Sequence, residues 1–285
     1  MLLTDGNALT VQDLELYEAD IQTIATANGI NLDNKLAQVL TEINIELQSF
    51  LQRASGGVLG WNYLTPGVFA DTVSTRIRSE QIIITDALKL WLIYAGLALT
   101  FGDAWARKTN DKYEEKVRQY QDRAVRARGW YFDQGVATVA APLPRPGKPA
   151  LSDVSGGSQA QRSYDVQITW VDANGKESAP SVRQSFQVAV NKLLKVDITA
   201  LSPPTGQTLT AGQSGITLGN AKTWHVYAVN SATAGGVLSK QTATATDIAT
   251  KTWTEPTTGL ITGAVVGTGQ EPDAYRGVQN ALMRG

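Results

Sequence analysis

The chain has 285 residues, of which 42% are apolar and 18% charged, and a formal net charge of −1. That length suits two domains, and the near-neutral balance supplies no polyelectrolyte field for nucleic acid. It has no cysteine and one histidine, His225, which excludes disulfides, thiolate metal sites and cysteine nucleophiles and leaves a zinc site or a Ser-His-Asp triad dependent on one ring. Met1 is followed by Leu-Leu-Thr-Asp with no basic segment or cleavage pattern, so no signal peptide is expected. The low charge fraction suits a protein that hides surface against partners.

The first half has helical periodicity. Thr10-Val-Gln-Asp13 reads as a capping box opening a first helix, in which Leu14, Tyr17, Ile21 and Ile24 recur at spacings of three and four. Asn28-Gly29 closes it, and a second helix follows Asn31, with Leu36, Leu40, Ile43, Leu47 and Phe50 as its apolar stripe. Ser55-Gly-Gly and Thr65-Pro-Gly punctuate a loop that carries Val58, Leu59, Trp61, Tyr63, Leu64, Val68 and Phe69. A loop this apolar is expected to fold back on the helices or to pack on a neighbour. A third helix is predicted from about Ser79 to Arg107 and a fourth from about Asn110 to Gln134, the latter with Glu114–Arg118 and Asp122–Arg126 pairs. The apolar stretch Ala87–Phe101 contains Lys89 and is shorter than the roughly 20 residues of a membrane span, so it reads as a buried helix with no membrane partner.

Pro142, Pro144, Pro146 and Pro149 then predict an extended spacer, reaching roughly 25 Å at ~3.1 Å per residue. After it the period is two. Tyr164, Val166, Ile168 and Trp170 alternate with polar residues, Asp172-Ala-Asn-Gly175 turns the chain, and further short strands hold Phe186, Val188 and Val190, then Leu194, Val196 and Ile198, then Trp224-His-Val-Tyr227. The expectation is a multidomain α + β chain: an α-helical bundle of about four helices over 1–141, a proline-rich linker over 142–150, an immunoglobulin-like β-sandwich over 151–270, and a tail over 271–285.

Motifs for chemistry are sparse. Ser55-Gly-Gly-Val-Leu-Gly60 lacks the Gly-Lys-Ser/Thr of a phosphate loop, and Gly267-Thr-Gly269 is equally weak. Asp172-Ala-Asn174-Gly175 with Glu177 lacks the further acidic ligands of a calcium loop, and His225 sits in an alternating strand. No catalytic, cofactor-binding or metal-binding residue is assigned, and the chain is read as no enzyme. Charge is unevenly placed, however. Residues 1–60 hold eight acids (Asp5, Asp13, Glu15, Glu18, Asp20, Asp33, Glu42 and Glu46) and two bases (Lys35 and Arg53), whereas 105–130 holds eight bases and four acids. Either neighbouring helices match charge internally, or the domain has a two-signed surface that stacks head to tail in a ring.

The long apolar helix ending Thr-Phe-Gly-Asp-Ala-Trp-Ala-Arg (100–107), followed by a charged helix, resembles the head–tail adaptor (connector, or neck) proteins of tailed bacteriophages. The second half resembles the immunoglobulin-like or fibronectin-III-like domains of phage virion proteins. The matching stretches there are Tyr164–Trp170, Val171–Ser181, Asn191–Lys195, Trp224–Tyr227 and Trp253–Gly259. The resemblance implies a structural protein of the virion neck, made in the host cytoplasm. It would form a homo-oligomeric ring, typically of twelve copies, that binds the portal and receives a tail terminator or next neck protein. Genomic DNA would pass through its lumen without tight binding, beside the acidic first helices. Trp61, Tyr63 and Phe69 are the candidate anchors between subunits, and Tyr275 and Arg276 belong to a tail expected to order on the portal. A different reading is a tail or surface component whose sandwich binds host carbohydrate, or another virion protein, through exposed aromatics such as Trp224, Tyr227 or Trp253. A third is a wall hydrolase, which would need a catalytic carboxylate in a cleft.

Overall fold

A computed structural model describes residues 1–6, 8–54, 77–108, 111–209, 216–232 and 236–276. Among them lie five α-helices and twelve strands, every strand pairing antiparallel, so the fold is mixed α and β. The chain divides into two compact units. The helical unit comprises Gly6–Val139 and Pro272–Gly285, and the β unit comprises Met1–Asp5 and Ala140–Glu271. Each unit thus contains one end of the chain remote in sequence from its main body.

In the helical unit, α1 (Val11–Glu15) opens on the expected capping box. The Thr10 hydroxyl accepts from Asp13 N at 3.3 Å, and the Asp13 carboxylate accepts from Thr10 N at 2.7 Å. The single helix expected to reach Asn28 is interrupted after Glu15, and α2 (Ile21–Ala27) resumes it. The intervening turn buries Leu14 and Ile21 and carries Glu18 to Lys116 and Tyr120. At the end of α2, Ile30 N reaches Ala25 O at 2.8 Å and Gly29 N reaches Thr26 O at 3.0 Å, a Schellman closure. Gly29 has φ +64°, and a Cβ there would lie 3.2 Å from Arg107 Nη1, which itself donates to Asn28 O at 2.7 Å. Helix α3 (Leu32–Ala54) buries Leu36, Val39, Ile43, Leu47 and Leu51, so its core stripe is broader than the predicted one and leaves Leu40 and Phe50 half-buried.

Helix α4 (Asp86–Lys108) starts later than predicted. The preceding Ser79–Gln81 forms a 3-10 turn, and Ile82 and Ile83 run extended, Ile83 N donating to Ala137 O at 2.9 Å. Three successive β-branched isoleucines, Ile82 to Ile84, favour that extended path over a helix. Residues Asp86–Arg107 are long and apolar enough to cross a membrane by length and composition, but Leu88, Trp91, Leu92, Leu97 and Phe101 are buried within the helical unit. Against α4 runs α5 (Asp111–Gln134), which buries Tyr120, Ala127 and Tyr131. Strand β1 (Val136–Thr138) then pairs with β12 (Ala274–Arg276). The region expected to be a free tail therefore begins with a strand of the helical unit.

In the β unit, β3 (Arg162–Asp172) is flanked by β4 (Gln184–Val188) and β8 (Ala221–Asn230). Strands β9 (Ser239–Lys240) and β10 (Thr246–Asp247) complete that sheet on β8. A second sheet has the order β11 (Thr252–Thr254), β5 (Lys192–Asp197), β2 (Ala150–Ser155), and β6 (Thr208–Leu209) pairs with β7 (Ile216–Thr217). The predicted alternation sets the core: Tyr164, Val166, Ile168, Trp170, Trp224, Val226 and Ala228 of the first sheet share one buried cluster with Leu194, Val196 and Ile198. The Asp172 turn is closed by Gly175 N to Asp172 O at 3.2 Å and by the Asp172 carboxylate accepting from Asn174 N at 2.8 Å.

The expected free spacer over 142–150 is corrected by Leu143, which is buried in this cluster. Prolines leave the segment few N–H groups to satisfy. Leu143 N donates to the Gln270 side chain at 2.6 Å, and Arg145 N to the Asp5 carboxylate at 2.9 Å, so the strand-poor segment can lie against the core. Gly219 makes room, because a Cβ there would lie 2.3 Å from Leu143 Cδ1. Leu143→Ala is therefore expected to cost about 2–5 kcal/mol in urea unfolding of the β unit and Gly219→Ala about 1–3 kcal/mol, with the double variant costing less than the sum. A spacer lying free of the core would make Leu143→Ala nearly neutral.

Candidate interaction surfaces and buried polar networks

Trp61, Tyr63 and Phe69 lie outside the described residues. The other two proposed contact residues, Tyr275 and Arg276, are exposed on β12, where they oppose Ala137 and Val136. The pairing with β1 orders the backbone within the chain itself and leaves the Tyr275 ring 58% exposed. Ordering of these residues thus requires no partner, contrary to the expectation for the tail.

The charge asymmetry of the helical unit is matched internally in part. Lys89 Nζ lies 2.5 Å from Asp13 and also donates to Ala8 O at 3.0 Å. Lys116 and the Tyr120 hydroxyl both donate to Glu18, and Arg128 pairs with Glu46. Lys35 reaches Asp103 at 2.7 Å. Three of the eight acids before residue 60 thus meet bases of α4 and α5, which supports the internal-match reading for those pairs. Each part-exposed pair is worth ~1 kcal/mol or less, so their value lies in fixing helix orientation more than in stability.

Apolar side chains remain outside. In the helical unit Val125 is 65% exposed and Trp130 54%, and Leu16 and Ile45 are also open. Trp130 lies near the end of α5, where its neighbours Tyr131 and Phe132 pack inward on Trp91. Val125 and Ile45 escaped prediction because each interrupts an otherwise polar helical face singly, without a periodic signal, and Leu16 because it lies in the turn after α1.

The aromatics offered as a carbohydrate platform face the interior. Trp224 is fully buried with Nε1 donating to Thr250 O at 3.0 Å, Tyr227 is 1% exposed, and Trp253 is packed against the core. A stacking face needs open rings, so these residues do not form one.

The β unit holds three polar networks that the sequence pattern did not reveal. Glu255, its side chain without exposed surface, accepts from Arg162 Nη2 at 2.8 Å, Tyr164 OH at 2.6 Å and Leu194 N at 3.0 Å. Arg162 Nε donates to the Tyr164 oxygen at 2.5 Å. Burial, reinforced by the Glu255 charge, pushes the Tyr164 phenol up to about 12. Arg162 and Tyr164 belong to one sheet and Leu194 to the other, so this carboxylate fastens the two together. Glu177 accepts from Tyr227 OH at 2.6 Å and from the Thr169 hydroxyl, with Lys240 at 3.9 Å. Beside it His225 Nδ1 lies 2.6 Å from Thr242 Oγ1. Asp165 is held by Arg183 and Ser185. Each carboxylate is occupied by donors of its own fold. Among the described residues no group of three or more His, Asp or Glu side chains is placed to hold a metal ion.

These networks set the pH response. Burial, with help from the Lys240 charge, lowers the His225 pKa below its ordinary value. Its contribution is therefore full above the unfolded value of ~6.5 and is lost as pH falls toward the folded one. Burial alone would raise Glu18, but the Lys116 and Tyr120 hydrogen bonds outweigh it and hold the carboxyl below the usual range. Asp165 behaves likewise, through Ser185 and Arg183. These two contribute fully above about pH 4–4.5 and lose their contribution below it. Denaturant unfolding should thus show a stability loss between pH 7 and 5 that His225→Gln abolishes, and a further loss below pH 4 that survives in that variant. Glu255→Ala, which strands a buried guanidinium and phenol, should cost about 3–5 kcal/mol at pH 7. Comparison of the chain with protein-family models, curated proteins and solved structures found no match.

Proposed function

We propose that the chain is a structural virion protein of a tailed bacteriophage, a neck adaptor that forms a ring joining the portal to the tail or to the next neck protein. The observation that carries this reading is the distribution of its side chains. Several ionisable groups enter internal pairs and networks, while Leu16, Ile45, Val125 and Trp130 of the helical unit remain open to be covered. That is the pattern of a building block, and the resemblance of 100–107 and of the second half to phage neck and virion proteins gives the block a place. On this reading the helical unit is the adaptor bundle and the β unit an immunoglobulin-like sandwich. Two antiparallel sheets sharing one alternating core support the latter.

Subunits of the ring, twelve by resemblance, would meet through Trp61, Tyr63 and Phe69. Tyr275 and Arg276, exposed on an ordered strand, would supply a preformed contact to the portal. Asp13 and Glu18 are neutralised by Lys89 and Lys116, so a lumen facing DNA would rely on the remaining acids, such as Asp20, Asp33 and Glu42.

The test is negative-stain imaging of the purified protein, alone and mixed with portal rings. Ring-shaped density on the portal is expected, and Trp61→Ala with Phe69→Ala should leave a folded protein that adds none. Failure of the unaltered protein to associate with itself or with portal would overturn the reading. Binding of linear duplex DNA at physiological salt is expected to be undetectable at micromolar protein, and a submicromolar Kd would contradict a lumen through which DNA slides.

A further inference from the structure

We propose that the two ends of the chain form a double clasp: each end completes the unit built mainly by the other half, so that the halves stay together when the chain is cut between them. The partition of the fold makes this possible. Cut between Ala140 and Ala141, both exposed, the first fragment would carry the body of the helical unit together with Met1–Asp5, which belongs to the β unit. The second fragment would carry the body of the β unit together with β12, which belongs to the helical unit.

Both anchors are specific. At the first end, Leu2 and Leu3 are buried and Leu2 N donates to the Asp5 carboxylate at 2.7 Å. The other oxygen of that carboxylate accepts from Arg145 N at 2.9 Å, and Arg145 Nε donates to Pro180 O at 2.7 Å. Asp5 therefore ties the strap to itself and to the segment after the cut. At the second end, Ala274, Tyr275 and Arg276 pair with Thr138, Ala137 and Val136, all three of them buried, and Asp273 N donates to Thr138 O at 2.9 Å. Each anchor is only a few residues long and would be weak as a free peptide. Two anchors joined in opposite directions between the same two fragments act as a bivalent contact, in which the second engagement is intramolecular. The proposal is independent of any role in a virion.

The experiment inserts a specific protease site between Ala140 and Ala141 of the full chain and follows the cleaved protein by native size exclusion and light scattering. The cleaved chain is expected to elute as one particle of uncut mass, separating only in denaturant. Loss of either anchor, by Leu2→Ser with Asp5→Ala or by Tyr275→Pro, should weaken association of the halves by roughly 100-fold or more, and loss of both should release them. Circular dichroism before cleavage checks that each variant is folded. Separation of the cleaved, otherwise unaltered chain would overturn the proposal without recourse to any variant. So would a doubly altered, folded and cleaved protein that stays together as tightly as one with both ends intact, since the joint would then lie elsewhere.

Discussion

A carboxylate with no exposed surface must be paired, hydrogen-bonded or neutralised, and Glu255 shows how this chain meets that constraint. Its two oxygens gather a guanidinium, a phenol and a backbone amide from two sheets whose facing sides share one apolar core. Removing one partner would leave the others buried without compensation, so the geometry is over-determined. The same logic recurs around Glu177 and Asp165, and in the helical unit around Glu18. Charge in this protein specifies how elements meet.

That economy connects fold to role. The carboxylates described above are saturated by their own fold, while large apolar side chains on the helical unit face outward. On the proposed role, a partner would cover those side chains, and removing them from water would favour association. Each unit also includes a short segment from the far end of the chain, Met1–Asp5 in the β unit and Pro272–Gly285 in the helical unit.

Much of the fold was legible in the sequence where the signal is local. Alternation at Tyr164–Trp170 marked the inward face of β3, Thr10 and Asp13 marked a helix start, and Asn28-Gly29 marked a helix end. What escaped depended on partners far along the chain. Strands β1 and β12 have three residues each, too few for a period, and pair across nearly half of the sequence. Leu143 looked like part of a spacer because four prolines surround it, yet burial was decided by Gln270 and by the space Gly219 leaves. The interruption after Glu15 served the remote Lys116 and Tyr120. Of the candidate contact residues, Tyr275 and Arg276 were reached by position in the chain, and their strand by nothing visible in the sequence. Summed charge revealed an asymmetry but not who pairs with whom, which only the placement of Lys89, Lys116 and Arg128 showed for Asp13, Glu18 and Glu46.

The central claim is that this chain is an assembly part acting between a phage head and its tail. The most direct measurement is electron microscopy of particles from an infection in which the protein is withheld and then resupplied. The account requires that heads and tails accumulate separately without it, and that adding the purified protein to such an extract restores joined, infectious particles. Normal joined particles formed in its absence would contradict the account.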